Sequence, residues 1–198
     1  DRVGIKPLYY TFENDHLIFG SDIKTIIASG LYQPRVNMEG LWHNLSFNIA
    51  PRPMTCFKEV YALEQAHWMR VSLDSGKAKK ERYWDIPPEE DTLNLSESDL
   101  IERLDHEIHR AVKYRLISDV EVGTFMSGGI DSTTISAIAN QHQPGIKAFT
   151  LGFDKTISEF DELEEARENA RINNLNHVIA IANPKDALDS IDDFITTS

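Results

Sequence analysis

Six consecutive residues, Ser127-Gly128-Gly129-Ile130-Asp131-Ser132, combine the side-chain types and backbone freedom that hold an anion. Val122-Gly123-Thr124-Phe125-Met126 before them reads as a buried strand, and the residues after them read as an apolar helix. A glycine pair at such a junction lets the backbone pass close to a ligand. The helix start behind it offers unpaired amides and the positive end of a dipole. The hydroxyls of Ser127 and Ser132 add donors for phosphate oxygens. Asp131 needs its own reason, since a carboxylate repels phosphate. It is expected to cap the helix, to help hold a divalent cation that bridges phosphates, or both. The stretch lacks the terminal lysine of a Walker loop and the third glycine of a dinucleotide fingerprint.

Other reactive side chains carry weaker patterns. His106 and His109 stand three apart on a long helix and are expected to point away from its apolar face, into solvent. The acidic run Glu159-Phe160-Asp161-Glu162-Leu163-Glu164-Glu165 suits the first turn of a helix, where the dipole favours acids without any cation. The single cysteine, Cys56, forms no internal disulfide and reads as a small packing residue. Trp42, Trp68 and Trp84 are too scattered for a stacking platform and are expected to pack in a core or between domains.

These residues need elements to position them, and the chain divides into two kinds of text. Residues 1–85 read as short strands and two helices. Leu8–Phe12 and Leu17–Gly20 flank a turn, Ser21-Asp22 caps a helix over Ile23–Ala28 that Gly30 ends, and Asn37 caps a second helix with Met38, Leu41 and Leu45 on one face. After Pro51-Arg52-Pro53 a strand over His67–Leu73 turns at Asp74-Ser75-Gly76 into a partner that ends at Tyr83-Trp84. Residues 86–97 are acidic, proline-bearing and aperiodic, as linkers are. From Ser98 the periodicity changes. A helix to Leu116 places Ile101, Leu104, Ile108, Val112 and Leu116 on one face. The strands Val122–Met126, Lys147–Phe153 and His177–Ile181 then alternate with helices over Ser132–Asn140, over Phe160–Ile172 and from Pro184. That alternation predicts a parallel sheet flanked by helices.

Bulk properties limit the partners. A formal charge of −12 over 198 residues repels polyanions, so nucleic acid and anionic membrane surfaces are disfavoured and any phosphate site must be local. The sequence has no apolar run of membrane-spanning length and no signal-type opening, and a cytoplasmic location is expected. The chain opens without Met and ends in helical text, so both ends are expected to lie inside a longer polypeptide.

Four stretches, in order along nearly the whole chain, resemble the class B glutamine-hydrolysing asparagine synthetases, a family that includes a PP-loop ATP pyrophosphatase domain. Asp1-Arg2-Val3-Gly4-Ile5-Lys6-Pro7-Leu8-Tyr9-Tyr10 is similar to a segment late in that family's glutaminase domain, and Phe19-Gly20-Ser21-Asp22-Ile23-Lys24 to the segment after it. Ser118-Asp119-Val120 through Ser132 resembles the approach to the pyrophosphate loop. Ala148-Phe149-Thr150-Leu151-Gly152-Phe153 with Glu159-Phe160-Asp161-Glu162 resembles the strand and acidic helix start that follow.

The resemblance implies an α+β fold for 1–85, the later part of an N-terminal-nucleophile glutaminase domain, and an α/β fold for 98–198, the start of a PP-loop parallel-sheet domain. It implies a ligase that makes asparagine from aspartate, glutamine and ATP by adenylating the acceptor carboxylate, with Mg2+ and with a homodimer when full length. By the same resemblance, Asp1 would bind the α-amino group of glutamine. Ser127, Gly128, Gly129, Ile130, Asp131 and Ser132 would hold the pyrophosphate part of ATP, with Asp131 beside its magnesium, and Met126 and Leu151 would contact the nucleoside. The family's catalytic cysteine and its acceptor residues have no counterpart in these 198 residues, so this stretch alone is expected to be inactive. Two other readings stay open: a relative that acts on another carboxylate in peptide or polysaccharide biosynthesis, suggested by Leu41-Trp42-His43-Asn44-Leu45-Ser46-Phe47, and a catalytically silent binding relative.

Overall fold

A computed structural model describes residues 1–87, 95–153 and 162–197. The chain falls into two compact units, Asp1–Glu90 and Asp91–Ser198.

In the first unit, alternating apolar residues make a hairpin of β1 (Tyr9–Glu13) and β2 (His16–Gly20), paired antiparallel with Tyr10 opposite Phe19. The connection narrows to Asn14 and Asp15, whose φ angles of 47° and 62° give the turn hand that matches strand twist. A short strand absent from the sequence reading, β3 (Tyr61–Ala62), pairs with the other edge of β1. The helix α1 (Ile23–Ala28) starts as expected: Asp22 accepts the amide of Lys24 at 2.8 Å. It ends at Ser29 before Gly30, whose φ is +71°. Ile26 of this helix packs with Ile18, Tyr32 and Val60 to form the core.

The next helix, α2 (Met38–Phe47), departs from the expected apolar stripe. Met38 and Leu45 are 68% and 74% exposed, and Trp42 is exposed rather than packed. Gly40 seats the helix instead: a Cβ there would lie 2.1 Å from the Thr55 carbonyl oxygen. The Asn37 side chain donates to that same carbonyl at 3.0 Å and makes no cap hydrogen bond. Backbone approach through a small residue, not side-chain periodicity, fixes this helix. The strands β4 (His67–Val71) and β5 (Ala78–Arg82) then form a second antiparallel hairpin. Lys80 ties it to Glu64 at 2.6 and 2.7 Å.

The second unit opens with α3 (Glu97–Arg115), whose N-cap Ser96 and third residue Asp99 form a reciprocal capping box. Ser96 and Glu97 therefore belong to the helix, while residues 88–94 of the expected linker lie outside the described residues. Next come β6 (Gly123–Phe125), α4 (Ile130–His142), β7 (Lys147–Phe153), α5 (Leu163–Ile172), β8 (Asn176–Ala182), α6 (Pro184–Asp189) and α7 (Ile191–Thr197). The sheet order is β6-β7-β8, all parallel, with Phe125 opposite Phe149 and Phe149 opposite Val178. Parallel neighbours require crossovers, which α4 and α5 supply. The start expected for α5 at Phe160 lies outside the described residues, and the helix is described from Leu163.

Two clusters hold this unit together. Val112 packs with Ile138, Ala139 and Ile146, joined by Ile108, Leu116 and Val122. Met126 packs with Ala148, Ala166 and Ala170. The expected face of α3 is thus used from Ile108 onward, whereas Ile101 and Leu104 are exposed. Along β7, Ala148, Thr150 and Gly152 are buried and alternate with more exposed Phe149, Leu151 and Phe153. No helix among the described residues is long and apolar enough to cross a membrane.

Candidate functional site

The loop Ser127–Ser132 leaves the carboxyl end of β6, where ligands of open α/β sheets bind. The last ladder bond before it runs from the Met126 amide to the Phe149 carbonyl at 2.8 Å. The chain then turns into α4, whose N-cap is Gly129 at φ −74° and ψ 155°.

Two serines close the turn. The Ser127 amide donates to Ser132 Oγ at 3.0 Å, the two hydroxyl oxygens lie 2.9 Å apart, and the Gly129 amide donates to Ser127 Oγ at 3.2 Å. Ser132 Oγ also donates to the Gly129 carbonyl at 3.2 Å. The expectation that Asp131 caps α4 is corrected here. Asp131 is the second helical residue, past the cap position, and Gly129 offers no side chain for capping. Its carboxylate is exposed in the first turn, where the helix dipole favours an acid.

The loop is open rather than packed shut: Ser127, Gly129, Ile130 and Asp131 are all exposed. Its amides at 127 to 129 are spent on shaping the turn, toward hydroxyls and a carboxylate. Those of Ile130, Asp131 and Ser132 are first-turn amides, which have no carbonyl partner within a helix. A cleft of about 450 Å³ runs alongside, lined by Asp105, His109, Gly128, Ile130, Thr133 and Asn169 among others.

Behind the loop, α5 and its cap hold both backbone polar groups of Gly128. The Gly128 amide donates to Glu162 Oε2 at 3.2 Å, and Asn169 Nδ2 donates to the Gly128 carbonyl at 3.0 Å. A Cβ at position 128 would lie 2.7 Å from the Glu165 Cβ, so glycine is required for this approach. At Gly129 the nearest atom to such a Cβ would be Ser127 Oγ at 3.4 Å.

A relay ties the strand end to the rest of the sheet. Thr150 Oγ1 donates to the Met126 carbonyl at 2.7 Å and lies 2.7 Å from His177 Nε2. The threonine has one proton and gives it to Met126, so His177 Nε2 carries the proton of the second bond. Burial, then the nearby Arg167 charge, holds the His177 imidazole below its usual pKa of 6.5.

The remaining expected residues fall as follows. Met126 is 3% exposed, its side chain in the core, and Leu151 is 58% exposed on β7. Only Leu151 of this pair presents its side chain openly. Asp1 lies in the first unit with its carboxylate committed to backbone. Its Oδ1 accepts the amides of Val3, Gly4 and Ile5 at 3.1, 2.7 and 3.1 Å, and Oδ2 accepts that of Lys6 at 3.0 Å. His109, expected to point to solvent, is half-buried and its Nδ1 lies 3.1 Å from His142 Nε2 of α4. Among the described residues no group of three or more His, Cys, Asp or Glu is arranged to hold a metal by itself. The sequence reading missed Asn169, Thr150 and His177, because each acts through a partner distant in sequence.

Comparison with known proteins covers both units. Residues 1–84 match the family model for a glutamine amidotransferase domain, and residues 103–197 match that for asparagine synthase. Asparagine synthetase [glutamine-hydrolyzing] 1 of Bacillus subtilis is 29% identical over 96% of this chain and 29% of its own length. Asparagine synthetase [glutamine-hydrolyzing] 3 of the same organism is 36% identical over 72% of this chain and 23% of its own length. Amidase chyE of Penicillium rubens is 32% identical over 86% of this chain and 27% of its own length. The chain thus spans less than a third of these relatives. It carries a glutamine amidotransferase-type unit followed by an asparagine synthase-type unit, and over most of its length it is similar to glutamine-hydrolysing asparagine synthetases.

Proposed function

We propose that the full-length protein is a glutamine-fed, ATP-dependent amide-forming ligase, and that the loop Ser127–Ser132 grips the leaving pyrophosphate. The observation that carries this reading is the open turn at the end of β6, closed by the Ser127–Ser132 hydroxyl pair, with the first-turn amides of α4 directed out of the helix start. In this reading the second unit is the start of a PP-loop domain and the first is the later part of an N-terminal-nucleophile glutaminase domain. Glutamine and water give glutamate and ammonia. ATP activates an acceptor carboxylate with loss of pyrophosphate, and ammonia displaces AMP to leave the amide.

The residues fit a magnesium-bound triphosphate. Gly128 sits where a Cβ would collide with α5, which keeps the back of the loop close against that helix, and the first-turn amides of Ile130, Asp131 and Ser132 supply neutral donors. Magnesium normally takes one or two carboxylates and completes its shell with phosphate and water oxygens, which suits Asp131 standing in the first turn of α4. When bound, the ion would neutralise charge on the departing pyrophosphate. Asp1 holds the backbone from Val3 to Lys6 in shape while remaining exposed, consistent with a part in the glutamine pocket.

Aspartate is the acceptor proposed first, since several relatives are asparagine synthetases. A different carboxylate is the second reading, supported by relatives named as amidases in Penicillium rubens and Gibberella zeae. The test is exchange of labelled pyrophosphate into ATP by the full-length protein, with a panel of carboxylates. Exchange that needs both magnesium and aspartate supports the first reading, and exchange with another carboxylate supports the second. No exchange with any acceptor would refute the assignment.

A further inference from the structure

We propose that Glu162 and Asn169 are positioning residues for the anion loop, acting by clamping the backbone of Gly128 between them, one on its N–H and one on its C=O. The inference rests on the proposed function but concerns residues outside the loop. A residue contributes one donor and one acceptor, its N–H to the peptide before it and its C=O to the peptide after it, and a partner for each restrains both planes. At Gly128 both partners come from α5 or its cap. Glu162, the N-cap, turns its carboxylate away from its own helix and accepts the Gly128 amide at 3.2 Å. Asn169, half-buried seven residues later and so two turns along the same face, donates to the Gly128 carbonyl at 3.0 Å.

The chemistry of each side chain matches the backbone group it meets. An ionised glutamate only accepts, and the asparagine amide offers the donor that the carbonyl needs. Between these two residues Glu165 approaches so closely that Gly128 has no room for a side chain. The clamp therefore restrains the two successive peptide planes that flank the Gly128 Cα, Ser127–Gly128 through its N–H and Gly128–Gly129 through its C=O, which fixes the direction in which α4 begins. It also explains a carboxylate beside a phosphate site: Glu162 is held by an amide of the loop's back. Preorganised donors hold an anion far better than donors that must be reoriented on binding.

The test compares Asn169→Asp, Asn169→Ala, Glu162→Gln and Glu162→Ala with wild type in the full-length protein. Gln keeps an acceptor oxygen at position 162, whereas Asp at 169 has none of the donors required. The expectation is a rise in the KM for ATP of about tenfold in Asn169→Asp, Asn169→Ala and Glu162→Ala, larger than the fall in kcat, with Glu162→Gln within about threefold of wild type. Exchange of the Gly128 amide with deuterium, followed in glycine-labelled protein, should quicken in Glu162→Ala and return toward wild type in Glu162→Gln. An unchanged KM in both Asn169 variants, or equal Gly128 exchange in all proteins, overturns the clamp. Absence of ATP–pyrophosphate exchange in wild type overturns the proposed function instead, and the deuterium measurement then still decides the clamp.

Discussion

The hydroxyl oxygens of Ser127 and Ser132 lie 2.9 Å apart, joining the end of β6 to the first turn of α4 across four intervening residues. Ser132 is the more connected partner, since it accepts the Ser127 amide and donates to the Gly129 carbonyl as well. The turn's shape thus depends on an oxygen at its far end.

Ser132→Ala should therefore be more damaging than Ser127→Ala. It removes three contacts, each worth about 1 kcal/mol net, and leaves the Ser127 amide without its acceptor. Pyrophosphate exchange should fall roughly a hundredfold in Ser132→Ala and less in Ser127→Ala. Steady-state exchange rates with matched urea denaturation of both variants check this ordering. The reverse ordering would mean that Ser127 is the main donor to the ligand.

The two glycines of the loop are not equivalent, and the structure ranks them. Gly128→Ala places a methyl group 2.7 Å from the Glu165 Cβ, so loop or helix must shift, at a cost of about 1–3 kcal/mol. Gly129→Ala meets only Ser127 Oγ at 3.4 Å, and φ of −74° suits any residue, so its cost should stay under about 1 kcal/mol. Urea midpoints and ATP affinity of the two variants measure the difference. Equal losses would show that the close approach of α5 is not what selects glycine.

Much of this site was legible in the sequence, for identifiable reasons. The loop's position follows from a strand pattern that ends at Met126 and a helical one read from Ser132, each within two residues of the observed end of β6 at Phe125 and start of α4 at Ile130, and both are local signals. The hairpin at Asn14-Asp15 and the cap at Asp22 are local as well. What could not be read is what long-range packing decides. Gly40 seats α2 against Thr55, so the apolar residues Met38 and Leu45 are left exposed, contrary to the periodic reading. His109 meets His142 from 33 positions away, and Asn169 meets Gly128 from 41, and neither pairing leaves a mark on spacing. Asp131 misled because an acidic residue near a helix start suits either the cap or the first turn, and only backbone angles separate the two.

Asp1→Asn tests the first unit. The carboxylate gathers four amides, three on Oδ1 and that of Lys6 on Oδ2. Asparagine can keep the first set, but its amide nitrogen then opposes the Lys6 N–H, donor against donor. The segment from Val3 to Lys6 should loosen, and the KM for glutamine should rise about tenfold, with activity on free ammonia unchanged. Paired assays with glutamine and with ammonium salts make the comparison. A parallel loss with ammonia would place the effect in overall folding rather than in the glutamine pocket.

His177 predicts a specific pH dependence of stability. Its Nε2 proton goes to Thr150, whose own proton goes to the Met126 carbonyl, so the imidazole anchors the residue that precedes the loop. Burial, followed by the Arg167 charge, lowers its pKa in the folded protein below 6.5. As the pH falls through 6.5, the unfolded chain takes up a proton at this residue before the folded protein does. Proton uptake by the unfolded state alone favours unfolding, so this contribution to stability is full above 6.5 and is lost on acidification through the lowered folded value. His177→Gln retains a donor toward Thr150 but cannot titrate. Urea midpoints of wild type and His177→Gln, measured at about pH 7.5 and about pH 5.5, should therefore differ in their pH response, with wild type losing more on acidification. Identical losses in the two proteins would mean that the imidazole titrates alike in the folded and unfolded chains, and that the relay through Thr150 does not depend on its charge state.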